Sequence, residues 1–129
     1  MDAVSTAPDT AFIATLQDVD ATGGAQIITS GYLRAGLRTV DESASKPGAP
    51  VLPCTTFEAV PVAVTTHYRV PLVPNAHRFA SGHRIRLHLT SDDQGEDKPA
   101  ALLFRHASIG TSSLNTVLST SKLLVNVLR

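Results

Sequence analysis

Apolar and polar residues alternate with period two along much of this chain. The clearest run is Arg84–Thr90, where Ile85, Leu87 and Leu89 alternate with Arg84, Arg86, His88 and Thr90. That spacing puts apolar side chains on one face and charged ones on the other, as in a half-buried strand of an antiparallel sheet over a single core. Ser81-Gly82 before it is a turn signal, and Ser91-Asp92-Asp93 after it cannot continue a buried strand. Gly82 is expected to need a backbone conformation that a Cβ disfavours, and His83 to be a buried, hydrogen-bonded side chain.

The same pattern can be followed from the start of the chain. In Thr10–Val19, Phe12, Ala14 and Leu16 oppose Thr15 and Gln17, while Ile13 and Val19 blur the alternation and imply burial on both faces. Asp18 to Gly24 has turn chemistry, and the β-branched run Ala25–Thr29 completes a hairpin. Gly31 breaks the next run, which Tyr32, Leu33, Leu37 and Val40 continue; Gly36 between Arg34 and Arg38 argues against a helix there. Residues 41–61 contain Pro47, Pro50, Pro53 and Pro61, which predicts a long surface loop with at most a short edge strand near Val51.

Val62–Leu72 alternates again until Pro71 demotes its end. Later in the chain the pattern predicts a polar loop at Gln94–Pro99, a strand at Ala100–His106, a loop at Ile109–Ser121 and a strand buried on both faces at Leu123–Leu128. About seven short strands and no helix predict an all-β fold, a β-sandwich or jelly roll, with residues 1–129 forming one domain.

Composition narrows the function. At 129 residues the chain can bury a sizeable core, and 43% apolar with 17% charged residues describes a globular protein. A formal net charge of zero argues against nucleic acid as a partner. With no Trp and only Tyr32 and Tyr68 as tyrosines, platforms for sugar rings or bases are scarce. Cys54 is alone, so no internal disulfide forms, which favours a reducing compartment. The N-terminal residues lack a signal-peptide pattern and no run is long and apolar enough to span a membrane, so the expected location is cytoplasmic.

Candidate chemistry is thin. Gly110-Thr-Ser112-Ser113-Leu114 lacks the final Gly of a nucleophile elbow, and Ser119-Thr-Ser-Lys122 precedes a predicted strand rather than lying on a helix. His83 and His88 are an odd number apart and point to opposite faces of a strand, so His77, His83 and His88 make no metal set; no cofactor is expected. Arg34 and Arg84 are candidates to meet an acid such as Asp9 or Asp18. Cys54 has no cation beside it and reads as an ordinary thiol.

Several segments, in order, resemble a known β-domain. They are Asp9-Thr10-Ala11-Phe12 with Leu16-Gln-Asp18-Val19 and Gly24; Gly31-Tyr-Leu33-Arg34-Ala35; Phe79-Ala-Ser-Gly82-His83-Arg84-Ile85-Arg86-Leu87; and Asn115-Thr116-Val with Ser119-Thr-Ser-Lys122-Leu123-Leu124. They resemble the C-terminal, non-catalytic domain of the X-Pro dipeptidyl-peptidase and cocaine-esterase hydrolases. Ala11 stands where the family has a second acid, Lys122 where it has Arg, and Val125-Asn126 where a Pro often follows.

The resemblance implies a jelly roll of galactose-binding-like shape that lacks its N-terminal strands, with Asp9, Asp18, Gly31, Arg34, Gly82, His83 and Arg84 as structural motif residues and none catalytic. It implies an α/β-hydrolase domain or subunit as partner, with this domain covering and shaping an active site that it does not contain. The missing strands imply an open sheet edge, hence either that partner or a homodimer through the edge. The other reading is a stand-alone carbohydrate- or ligand-binding module, which the shortage of aromatics opposes.

Overall fold

The computed structural model describes residues 1–92 and 109–127. Among the described residues the chain forms six strands: β1 (Asp2–Ser5), β2 (Ala11–Val19), β3 (Ala25–Arg34), β4 (Thr66–His67), β5 (Arg84–Thr90) and β6 (Asn115–Val117). A 3-10 turn, Ala35–Leu37, follows β3, and there is no α-helix among the described residues. The strands make two antiparallel three-stranded sheets, ordered β4-β1-β6 and β3-β2-β5. The architecture is the all-β sandwich that the alternation predicts. The predicted elements at Gln94–Pro99 and Ala100–His106 lie outside the described residues.

β2 and β3 form the hairpin expected from the pattern. Asp20 closes it by accepting the N–H groups of Thr22 and Gly24 at 2.8 and 2.9 Å and the Thr22 hydroxyl at 2.6 Å, and Gly23 takes φ 95°. These bonds, the Thr22 hydroxyl first, hold the Asp20 carboxyl below its usual range. The strand does not break at Gly31, as expected from sequence, but runs through it. A glycine is required there for another reason: a Cβ would overlap the Pro71 carbonyl, which crosses over the strand at that point. A register shift between Leu16 and Gln17 takes up one extra residue on β3.

Residues paired across a ladder share a face. Phe12, Ala14, Leu16 and Asp18 of β2 therefore lie beside Leu33, Gly31 and Thr29 of β3 and beside Leu89, Leu87 and Ile85 of β5. Near β3 this face is the core. Phe12 and Leu33 pack with Ala3, Ala35, Val60 and Tyr68, and the Phe12 and Tyr68 rings are 4.8 Å apart at 55°. Burial raises the Tyr68 phenol above its ordinary value. β2 is buried along almost its whole length, on both faces, as its blurred alternation predicts.

Several expectations are corrected. β5 is placed as predicted, but its apolar row is not dry, since Ile85 is 52% exposed and Leu87 is exposed too. Val62–Leu72 is not a long strand. Ala63 turns the chain with φ 60°, Val64 N–H bonds to Pro61 O, and only Thr66–His67 joins a ladder. Residues 41–61 do form a strand-free loop, with an isolated bridge at Lys46–Ala49, and Val51 is in no strand. The predicted loop Ile109–Ser121 contains β6. The predicted buried strand at Leu123–Leu128 is absent over 123–127, where Leu124 and Val127 are 71% and 79% exposed.

Of the four sheet edges among the described residues, three are short or covered, and the fourth is β5, seven residues long. β1 is the centre of its sheet, not a remnant at its margin, and the edge strands β4 and β6 are two and three residues long. Along β3, the carbonyls of Ser30 and Ile28 are already bonded by Val73 N–H at 3.0 Å and Asn75 Nδ2 at 2.5 Å. Short or covered edges are poor templates for another chain.

Candidate functional site

The residues singled out from sequence gather at two places. At the first, Arg34 ends β3 and reaches Asp9, with Nε and Nη2 both 2.8 Å from Oδ2. Asp9 is buried, and its Oδ1 accepts Thr10 N–H at 3.0 Å and Gly36 N–H at 3.3 Å. The guanidinium also lies 5.2 Å from the Phe57 ring centroid. That ring packs over Gly36 so closely that a Cβ on Gly36 would overlap it. Glu58 N–H bonds to Gly36 O at 2.8 Å, and Arg38 Nη1 bonds to Glu58 O at 2.7 Å. The group fastens the far end of the Pro-rich loop to the end of the β2–β3 hairpin.

The second place is centred on Asp18, whose side chain is only 7% exposed. His77 Nε2 is 2.7 Å from Oδ2 and His83 Nδ1 is 2.8 Å from Oδ1, so both oxygens are occupied by imidazoles. The His77 bond, then the His83 bond, hold this carboxyl below its usual range against the opposing effect of burial. Gly82 takes φ 83°, the left-handed conformation expected of it, and delivers His83 to this site. His83 is half-buried at 29% exposure rather than buried.

Arg84 does not reach Asp18, because the register pairs Asp18 with Ile85 and Arg84 with Val19; the Arg84 side chain thus belongs to the opposite face. His88 is on that opposite face as well, so it does not join His77 and His83. Gly31 belongs to neither group and serves the crossing of Pro71.

Two roles escape the sequence reading, that of His77, weighed there only as a metal ligand, and that of Phe57. His77 sits in an irregular segment where no periodicity marks it. Phe57 is the one aromatic residue between Tyr32 and Tyr68, and that isolation in a Pro-rich loop is a usable signal.

Neither group is equipped for catalysis. Asp18 and His83 have the carboxylate-to-Nδ1 bond of a general-base pair, yet no hydroxyl or thiol is bonded to either imidazole among the described residues. No group of three or more His, Cys, Asp or Glu side chains could hold a metal among them either. Cys54 is exposed in the loop, with φ 55°. A cleft lies beside Thr10, Ala11, Ser91, Asp92 and the 109–113 loop, and at its margin Thr10 Oγ1, Ser113 Oγ and Asn115 Nδ2 bond one another at 2.8 to 3.0 Å. Ser112 and Ser113 are on that loop with no helix after them, so no nucleophile elbow forms.

Residues 2–107 match the family described as the X-Pro dipeptidyl-peptidase C-terminal non-catalytic domain. The chain belongs to this family. No curated protein and no solved structure gives a significant match. Among the described residues no helix is long and apolar enough to cross a membrane.

Proposed function

We propose that this chain, acting as one domain, is the accessory partner of a serine hydrolase of the X-Pro dipeptidyl-peptidase type. It packs against an α/β-hydrolase catalytic domain and helps shape an active site that it does not itself contain. The observation that carries this reading is the family match across residues 2–107, joined to the absence of an activated nucleophile among the described residues. A single exposed thiol, Cys54, suits a reducing, cytoplasmic setting.

The surface best suited to that packing adjoins β6. From Thr111 to Val127 the only charged residue is Lys122. Leu114, Val117, Leu123, Leu124, Val125 and Val127 are all exposed. Covering such residues is worth about 1.5–3 kcal/mol for each large side chain fully buried, so a neutral segment of this kind favours an apolar partner over water. The partner proposed for this segment is a catalytic domain of the family.

The test is co-expression with an X-Pro dipeptidyl-peptidase catalytic domain stripped of its own C-terminal domain. Chromatography with light scattering should show a one-to-one complex. Leu124→Asp with Val127→Asp should abolish it while leaving the circular dichroism spectrum and melting temperature of this chain unchanged. No complex, or one indifferent to the double substitution, would refute the reading.

A further inference from the structure

We infer that residues 71–80 form a strap that opens and closes over the inner face of the β3-β2-β5 sheet as a unit of its own, latched by His77 on Asp18. Its anchors run diagonally across the hairpin. The Pro71 carbonyl rests over Gly31, where no side chain stands in its way. Val73 N–H bonds to Ser30 O at 3.0 Å, Thr29 Oγ1 bonds to Val73 O at 2.6 Å, and Asn75 Nδ2 reaches Ile28 O at 2.5 Å. His77 then lands on Asp18 at 2.7 Å, with its ring edge-on to Phe79 at 4.8 Å.

Thr29, Gly31 and Asp18 share one sheet face with Ala14 and Leu16, which lie between the anchors and are buried. The strap itself is in no strand, and residues 73 to 78 are exposed. Only one of its hydrogen bonds to the sheet is backbone to backbone, whereas β2 and β3 are joined by nine residue pairs. Few buried apolar contacts and side-chain anchoring are the marks of a segment that opens below the global unfolding free energy.

The strap moves between two fixed ends: Pro71, whose carbonyl stays seated over Gly31, and a turn that closes with His83 N–H on Ala80 O at 3.1 Å and Gly82 at φ 83°. Opening withdraws His77 but leaves His83 on Asp18, so the carboxylate keeps one partner and the open state remains accessible. It also frees the stretch of face between the anchors, which carries Ala14 and Leu16 beside the exposed Ile85 and Leu87. The strap therefore sets the width of one apolar strip.

With Asp18 ionised and accepting from both rings, His77 carries its proton on Nε2 and His83 on Nδ1. Nitrogen NMR of the imidazoles should report a proton on His77 Nε2 and on His83 Nδ1 in the intact protein. The decisive experiment is native-state hydrogen exchange against low urea, with trypsin cleavage after the exposed Arg78 as a second readout. The Val73 amide should exchange at least about a hundred-fold faster than the β2 ladder amides and with a much shallower urea dependence.

His77→Phe keeps a ring against Phe79 and removes the latch. It should speed both Val73 exchange and cleavage after Arg78 by about ten-fold or more, the loss expected for a hydrogen bond to a charged group. Phe12→Leu, away from the strap, should speed ladder exchange while leaving Val73 unchanged. A Val73 amide that shares the ladder's rate and urea slope, that follows Phe12→Leu, or that ignores His77→Phe would overturn the strap.

Discussion

The two sheets are built in different ways. In β3-β2-β5 the strands run ten, nine and seven residues, and two of them are joined by a tight hairpin. In β4-β1-β6 they run two, four and three residues. The short sheet is pinned by polar side chains instead of long ladders. Asp2 accepts from Thr120 Oγ1 at 2.5 Å and pairs with His67 at 2.6 Å, while Ser121 Oγ accepts Asp2 N–H at 3.0 Å. Leu114 N–H reaches Thr6 Oγ1, 108 residues away in sequence, at 2.9 Å. One sheet is stabilised by a repeating pattern, the other by specific contacts between distant segments. The shared core, where Phe12 of the long sheet meets Tyr68 beside the short one, joins the two.

Substitutions can set these two modes apart. The largest expected effect is Gly31→Val in the long sheet. Its side chain would meet the Pro71 backbone, which cannot swing aside as a side chain could. A loss of about 3 kcal/mol, read from the urea midpoint, is expected. The contrast is Gly36→Ala, where the obstacle is the exposed Phe57 ring, and where a clearly smaller loss should be measured. Equal losses at the two sites would mean that the crossing at Pro71 is not rigid.

The same contrast explains what could be read in advance. The β2–β3 hairpin and β5 were legible because alternation and turn residues are local signals. The exposure of Ile85 and Leu87 was not, because period two reports that a strand has two unlike faces, not that anything covers the apolar one. β6 and the true extent of β1 were hidden for a different reason. Each is too short to show a period, and each is a strand only because the other lies beside it. Of the site residues, the Asp9–Arg34 pair was within reach as one of several open pairings. His77 was not, since its partner Asp18 is 59 residues away and nothing local marks it.

Next in size is Arg34→Ala, which should cost about 1–2 kcal/mol. It leaves the buried Asp9 carboxylate short of its strongest partner, although Arg34 itself is partly solvated. Arg34→Lys should recover only part of that loss, because an ammonium cannot supply both the forked bond and the stacking on Phe57. Full rescue by Lys, seen as a restored melting temperature, would show that charge alone matters there.

Smaller again is Gly82→Ala. A Cβ at Gly82 meets nothing within 4 Å, so the cost is purely that of φ 83° for a residue with a side chain, about 1 kcal/mol. Measured beside Gly31→Val by the same urea titration, it separates backbone strain from steric overlap.

The gentlest perturbation is acid. Asp18 in the long sheet and Asp2 in the short one both have carboxyls held below the ordinary value of 3.8, by the His77 bond first and the Thr120 bond first, respectively. A depressed carboxyl contributes stability above its unfolded value and loses it as pH falls through the folded one. The stability of the native protein should therefore be level in this respect down to about pH 4 and decline below it. In Asp18→Asn the decline should be shallower, with the remainder coming from Asp2 and the other depressed carboxyls, Asp20 and Asp41. An unchanged slope in that variant would remove Asp18 from the acid response.

The most direct measurement of the functional claim treats the purified chain with a fluorophosphonate probe and an aryl ester at neutral pH. A domain that only packs against a hydrolase should take up no probe on any serine and release no product, while the same probe labels a catalytic domain of the family in the same tube. Stoichiometric labelling of a serine in this chain, with ester turnover lost on labelling, would contradict a non-catalytic role outright.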